Sequence, residues 1–518
     1  MAAARSICVR SSWRRRIQPP ATLPPVITTP KLAQSLLVPP AGAPRLSEWA
    51  PVLSSVADFR GLRRSQAKSR CCIALLCRGA SIDQLTSFVE YHFFIGFEAI
   101  YMYLDDPAEL PALASLAQSE PRLHVVACDA TFWRGRLASS AMLAHREQQR
   151  VFDDVARTVQ SEVQSRQSLC VEHAIERTVS RGFDWLLHID VDECFLPQEK
   201  QPVDFFSLLP AEVEQVFFAN LEAVPSPSPA SASLDVCDWL KSVTQFKVSP
   251  AHVQPWEALE AVWRRIEAAR QAAQPASVPT SYFTAYASGK SAVRLPHPLR
   301  MPADEEEDSS ADGAAAAAAA EHAAPSSPSS LLPVPFDVHK FLVPNGLGGW
   351  RMPRTLTCTD SLAHEDAPVV LHFPSCGFNN WLRKYELLGA FGDQWWGRVP
   401  CRIPAHLQSR DVVQRHLAEG RTADSATGSG LGGGFAACEE FYRWRVVGNE
   451  LGEHALLRAH GLLVDVEFPR SVVRAAAKKR AASTPENESY QLDVSRRAHG
   501  ASPSTSASVR RPAASASR

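Results

Sequence analysis

The 518-residue sequence predicts an α/β fold, a Rossmann-like, mostly parallel sheet flanked by helices. Three observations carry that expectation. Strand-length apolar runs alternate with longer stretches of helical periodicity after residue 70. Hydrophobic residues make up 45% of the chain, and its length allows a sizeable core. Proline, serine and alanine collect outside the alternating segments, as expected of irregular attachments to a globular body.

Each element follows in order. "CCIALLC" reads as a buried strand. In "SIDQLTSFVEYHFFIGF", Ile82, Leu85, Phe88, Val89 and Phe93 recur at helical spacing. "EAIYMYL" is a second strand, residues 109–119 a helix, and "RLHVVAC" a third strand. "SLCVEHAIERTVSRG" reads as a helix ending at Gly182. "DWLLHID" and "EQVFFANLEAV" are further strands.

Domain organisation follows from the breaks in this order. Residues 1–68 read as a disordered, basic, proline-rich leader, either an organelle transit peptide or a plain irregular segment. A main domain spans 69–420, interrupted at about 225–280, which holds one amphipathic helix, and at 301–335, a solvated low-complexity stretch. A helical extension occupies 421–469 and a disordered basic tail 470–518. The twelve cysteines show no C-x-x-C spacing, which excludes a zinc ribbon and a dense disulfide framework. A net charge of -1 gives no reason to expect nucleic acid as the partner. No apolar run approaches the ~18 residues of a membrane-spanning helix.

The chemistry concentrates in "FDWLLHIDVDECFLP". Ligands of parallel α/β sheets bind at the carboxyl ends of strands, where Asp190 and Asp192 fall. If strand geometry persists, both face one site and Glu193 points away as structural support. Two adjacent carboxylates repel unless a cation joins them, and hard oxygen ligands suit Mn²⁺ or Mg²⁺ with phosphate oxygens. A strand end capped by solvated acids remains the plainer reading of these residues alone. An EF-hand loop would need a glycine and further acids that "DVDECFLPQEKQ" lacks. An aspartyl-phosphate site would carry Thr or Val where Cys194 stands.

The order of "CCIALLC", "FVEYHFFIGFEAIYMYLDD", "QSLCVEHAIERTVSRGFDWLLHIDVDECFLP", "YASGKSAVRL", "VHKFLV" and "VVLHFPSCGFNNWLRKYELLG" resembles glycosyltransferase family 92. That family belongs among the nucleotide-sugar transferases of GT-A fold. The resemblance implies that Asp190, Asp192 and His372 bind a divalent cation. It places Asp105 and Asp106 beside the nucleoside, and it implies a nucleotide-sugar donor with a glycan or glycoconjugate acceptor. Lys290 and Arg294, with Ser291, and Lys384 suit the diphosphate, and His339 is a further polar candidate. Glu222 and Asp393 are the candidate catalytic bases of an inverting hexosyl transfer, with galactose a first guess for the sugar. Trp395 and Trp396 could stack on it. The family also implies work in the secretory pathway. One departure is plain: Arg78 in "CRGASID" stands where these transferases often carry an acid. The alternative is therefore a decayed nucleotide- or carbohydrate-binding module on the same fold.

Overall fold

The computed structural model describes residues 68–144, 155–197, 201–225, 236, 238–248, 256–273, 289–296, 332–346, 349–358, 368–395, 399–401, 403–423 and 432–483. The leader, most of the 301–335 stretch, Trp396 and the sequence beyond 483 lie outside them.

The expected α/β architecture is present. Five strands of the main sheet run in one direction with β13 (Thr355–Thr357): β1 (Cys71–Cys77), β2 (Ala99–Leu104), β3 (Leu123–Ala127), β4 (Trp185–His188) and β6 (Gln215–Phe218). With β9 (Lys290–Arg294) they are ordered β13-β6-β9-β4-β1-β2-β3. Strand β9 alone runs against its two neighbours, β4 and β6; all other pairings are parallel.

The continuous apolar run of β1 has a physical reason, since both of its faces are covered. Cys71, Ile73, Leu75 and Cys77 belong to one core, together with Leu85, Phe88 and Val89 of the Ile82–Phe94 helix. Cys72, Ala74 and Leu76 belong to a second core on the opposite face, against Cys170, Val171, Ala174 and Ile175 of the Val163–Val179 helix. The ten cysteines among the described residues are buried thiols.

A second sheet is ordered β17-β8-β7-β14-β5, from β5 (Glu193–Leu196), β7 (Asn220–Ala223), β8 (Gln245–Lys247), β14 (Val369–His372) and β17 (Leu463–Asp465). The single strand expected over "EQVFFANLEAV" is divided at Ala219. Its first half pairs in the main sheet and its second half in the other. A small antiparallel sheet of β10 (Val334–Asp337), β11 (Lys340–Pro344) and β12 (Trp350–Arg351) packs on the second core through Phe341 and Val343.

Two segments differ from the expectation. Within 225–280, Trp239, Leu240 and Phe246 join the main core, so this stretch contributes more than the one amphipathic helix, Trp256–Ala273. The basic tail does not begin at 470. Phe468–Ser483 is a helix, because Val472 and Val473 bury on the core and Phe468 packs edge-on against Tyr91. No helix among the described residues is long and apolar enough to cross a membrane.

Gly289 fixes how β9 approaches the crossing strand. A Cβ added there would lie 1.6 Å from the Phe218 carbonyl oxygen, so only glycine fits. Gly289→Ala is expected to cost about 3 kcal/mol, read as a lowered denaturant midpoint. A variant as stable as the wild type would refute this close approach.

Candidate active site

The carboxyl ends of β1, β2 and β4 open onto one cavity of about 290 Å³. Strand β1 delivers Arg78, β2 delivers Asp105, and β4 delivers Asp190 and Asp192. The reversed direction of β9 brings its first residue, Lys290, to that same edge. Lys384 and Arg383 reach in from the Phe378–Leu388 helix, and Arg166 and Gln167 from the Val163–Val179 helix. Five lysine and arginine side chains thus line the cavity against four carboxylates, Asp105, Asp190, Asp192 and Glu193.

Strand geometry does not persist through the paired aspartates. The chain turns after Ile189, with the Glu193 N–H donating to the Asp190 carbonyl at 3.0 Å. The turn folds the Glu193 side chain back, so it accepts from the Asp190 N–H at 2.8 Å. Glu193 therefore lines the site as well as supporting it, which corrects its expected outward direction. The Tyr91–His92 pair secures the strand that follows. Tyr91 donates to the Phe195 carbonyl at 2.9 Å, and His92 Nε2 accepts from the Phe195 N–H at 3.3 Å. Burial pushes His92 down to about 3, so its ring is neutral and able to accept.

Each of the paired aspartates holds a lysine. Asp190 Oδ2 accepts from Lys290 Nζ at 2.7 Å, while its other oxygen accepts from the Gln167 amide. Asp192 Oδ2 accepts from Lys384 Nζ at 3.1 Å. Lys290 is only 2% exposed and also faces Glu193 Oε2 at 3.5 Å. Burial opposes the charge on Asp190, but the Lys290 ammonium outweighs it and holds the carboxyl well below its usual range. Asp192 is lowered in the same way by Lys384. Burial pushes Glu193 up to about 7 against the pull of Lys290.

His372 ends β14 beside these groups, and its Nδ1–H donates to Glu222 Oε2 at 3.1 Å. Burial alone would strip its proton, but Glu222 outweighs burial and raises it to about 9. The three groups that the family resemblance assigns to a divalent cation are thus each engaged by a neighbour: Asp190 by Lys290, Asp192 by Lys384 and His372 by Glu222. Among the described residues, no three His, Cys, Asp or Glu side chains stand together as a metal-holding group. As arranged, this set does not fit a divalent ion.

The other expected site residues divide. Asp105 lines the cavity, gripped at both oxygens by Arg166 at 2.7 and 3.0 Å. His339 also lines it and donates to the Gly289 carbonyl at 2.7 Å. Ser291 donates instead to the His339 carbonyl. Four assignments are corrected by position. Asp106 caps the short turn Pro107–Glu109 through the Ala108 N–H. Arg294 lies at the far end of β9, over the Trp185 ring and bonded to the Val213, Leu209 and Pro210 carbonyls. Asp393 is 75% exposed and pairs with Arg410 at 2.8 Å, away from the cavity. Glu222 is fully buried behind His372, out of reach of a substrate. The side chain of Trp395 lies outside the described set. Sequence reading missed Arg166, Gln167, Arg383 and His406 as cavity residues. The run of polar side chains opening the Val163–Val179 helix was the one available signal for the first two.

No family model matches the sequence. Two curated proteins of Arabidopsis thaliana do, both named glycosyltransferase-like. One is 27% identical over 252 residues, 47% of this chain and 50% of the relative. The other is 22% identical over 245 residues, 46% of this chain and 42% of the relative. The chain spans about half the length of the curated relatives it matches. These similarities support a glycosyltransferase-like protein and do not single out family 92.

The upward shifts of His372 and Glu193 predict a pH dependence. His372 keeps its proton to about pH 9 when folded, whereas an unfolded histidine releases it near 6.5. Its stabilisation is therefore complete below about 6.5 and is lost as pH rises through 9. The cost of ionising Glu193 grows from its usual 4.5 up to about 7, with the same sign. The thermal midpoint is expected to fall between pH 6.5 and 9, and His372→Gln to flatten that fall. A wild-type midpoint constant over this range would contradict the His372–Glu222 pairing.

Proposed function

We propose that this chain is a glycosyltransferase of GT-A type, akin to family 92. It transfers a hexose from a nucleotide-sugar to a hydroxyl of a glycan or glycoconjugate acceptor, with inversion. The observation that carries the reading is the cavity at the strand ends, where paired aspartates and five lysine and arginine side chains converge. A surplus of ammonium and guanidinium groups in a recessed site suits a diphosphate, whose oxygens take charge-assisted hydrogen bonds. The glycosyltransferase-like names of the two relatives support the same chemistry.

The residues divide the task by position. Arg78 and Asp105, at the ends of β1 and β2, and Arg166, on the Val163–Val179 helix, flank the nucleoside side of the donor. Lys290 and Lys384 meet the diphosphate, whose developing negative charge is the main cost of the transfer. Asp190 and Asp192 hold those lysines in place. Glu222 is a positioning residue that acts through His372. The acceptor hydroxyl attacks C1 from the face opposite the leaving diphosphate. The two lysines sit against the carboxylates that a divalent cation would take.

The test is a transfer assay on the full chain with a panel of nucleotide-sugars, UDP-galactose first, and oligosaccharide acceptors. Asp190→Asn and Asp192→Asn are each expected to lower kcat/KM by roughly a hundredfold or more. Undiminished transfer by both variants would overturn the assignment of this cavity. Nucleotide binding without turnover across the panel would instead establish the decayed binding module.

A further inference from the structure

The positive charge of this cavity is built in by the chain. An ammonium carries three N–H donors. Lys384 uses one on Asp192 Oδ2 at 3.1 Å and a second on the Pro374 carbonyl at 3.0 Å. Lys290 directs one to Asp190 Oδ2 at 2.7 Å and faces Glu193 Oε2 at 3.5 Å. Each lysine therefore keeps one donor in hand, and both line the cavity. A divalent ion taking the lysine-bound oxygens of Asp190 and Asp192 would have to displace both ammoniums. Lys290, at 2% exposure, would then lose its close partner and keep only Glu193, 3.5 Å away, an unfavourable state for a buried charge.

Resting on the nucleotide-sugar reading above, we propose that Lys290 and Lys384 take the place of the divalent cation. Each is anchored by one aspartate and turns its remaining N–H toward a diphosphate oxygen, so the site binds a nucleoside diphosphate without metal. In the transfer, the bond between sugar C1 and the phosphate oxygen breaks and its electron pair stays on that oxygen. The acceptor oxygen bonds to C1, and the hydroxyl proton passes to a carboxylate of the cavity wall. The two ammoniums meet the charge that the phosphate oxygen gains, which a metal would otherwise neutralise as a Lewis acid.

Calorimetric titration of the full chain with UDP, GDP, ADP and CDP, each in EDTA and in Mn²⁺, tests this. The nucleotide that binds best is expected to show a Kd within about threefold in the two conditions. Lys384→Ala should weaken binding in EDTA by roughly tenfold or more, the loss of one charge-assisted contact. It should also acquire a Mn²⁺ dependence that the wild type lacks, because Asp192 is then unpaired. Lys384 is 30% exposed, so this variant should fold, and Lys384→Arg, which keeps the charge, should recover part of the loss. Binding by the wild type only in Mn²⁺ would overturn the lysine assignment and leave the nucleotide-sugar reading standing. Absence of nucleotide binding in both conditions would overturn both.

Discussion

The Lys290 ammonium, buried between Asp190 and Glu193, is the interaction on which the site depends. Two carboxylates so close to each other in a recessed place are not tolerated without a cation. Here the cation belongs to the chain, and much follows from where it comes from. It requires a strand running against its neighbours, so that the strand's first residue reaches the edge where parallel strands end. It requires glycine just before it, since the backbone passes against the Phe218 carbonyl. It also requires the turn after Ile189, which folds Glu193 back toward the same ammonium.

The supports are spread across the molecule. Tyr91 and His92, from the first long helix, hold both backbone groups of Phe195 and so fix the strand leaving the turn. Phe373, one residue after His372, donates to the Asp192 carbonyl at 2.7 Å. Gln167 holds the second Asp190 oxygen. The aspartate turn is thereby tied to both sheets and to a flanking helix, the arrangement needed to hold a site rigid.

The strand-and-helix order was legible because both faces of β1 and β2 are covered, which writes continuous apolar runs into the sequence. The positions of Asp190, Asp192, Lys290, Lys384 and His372 at one site were legible from motif order. Directions were not. Alternation along a strand sends Glu193 outward, but a hydrogen-bonded turn overrides alternation. Lys290 and Arg294 look like one basic motif, yet four residues of extended chain separate them by about 13 Å and place them at opposite edges of the sheet. Arg166, Gln167, Arg383 and His406 depend on how helices rotate against the sheet, which packing sets and spacing alone does not. The helix at 468–483 reads as a basic tail because only Phe468, Val472 and Val473 mark its buried face.

The strand divided at Ala219 ties the two sheets into one mechanical element. Its first half is laddered to β9, which carries Lys290, and its second to β14, which carries His372. Neither sheet can slide or peel away without drawing on hydrogen bonds of the other. Strain on the Lys290 side of the candidate site is therefore carried across Ala219 to the His372 side, and the spacing of the two is held by main-chain hydrogen bonds.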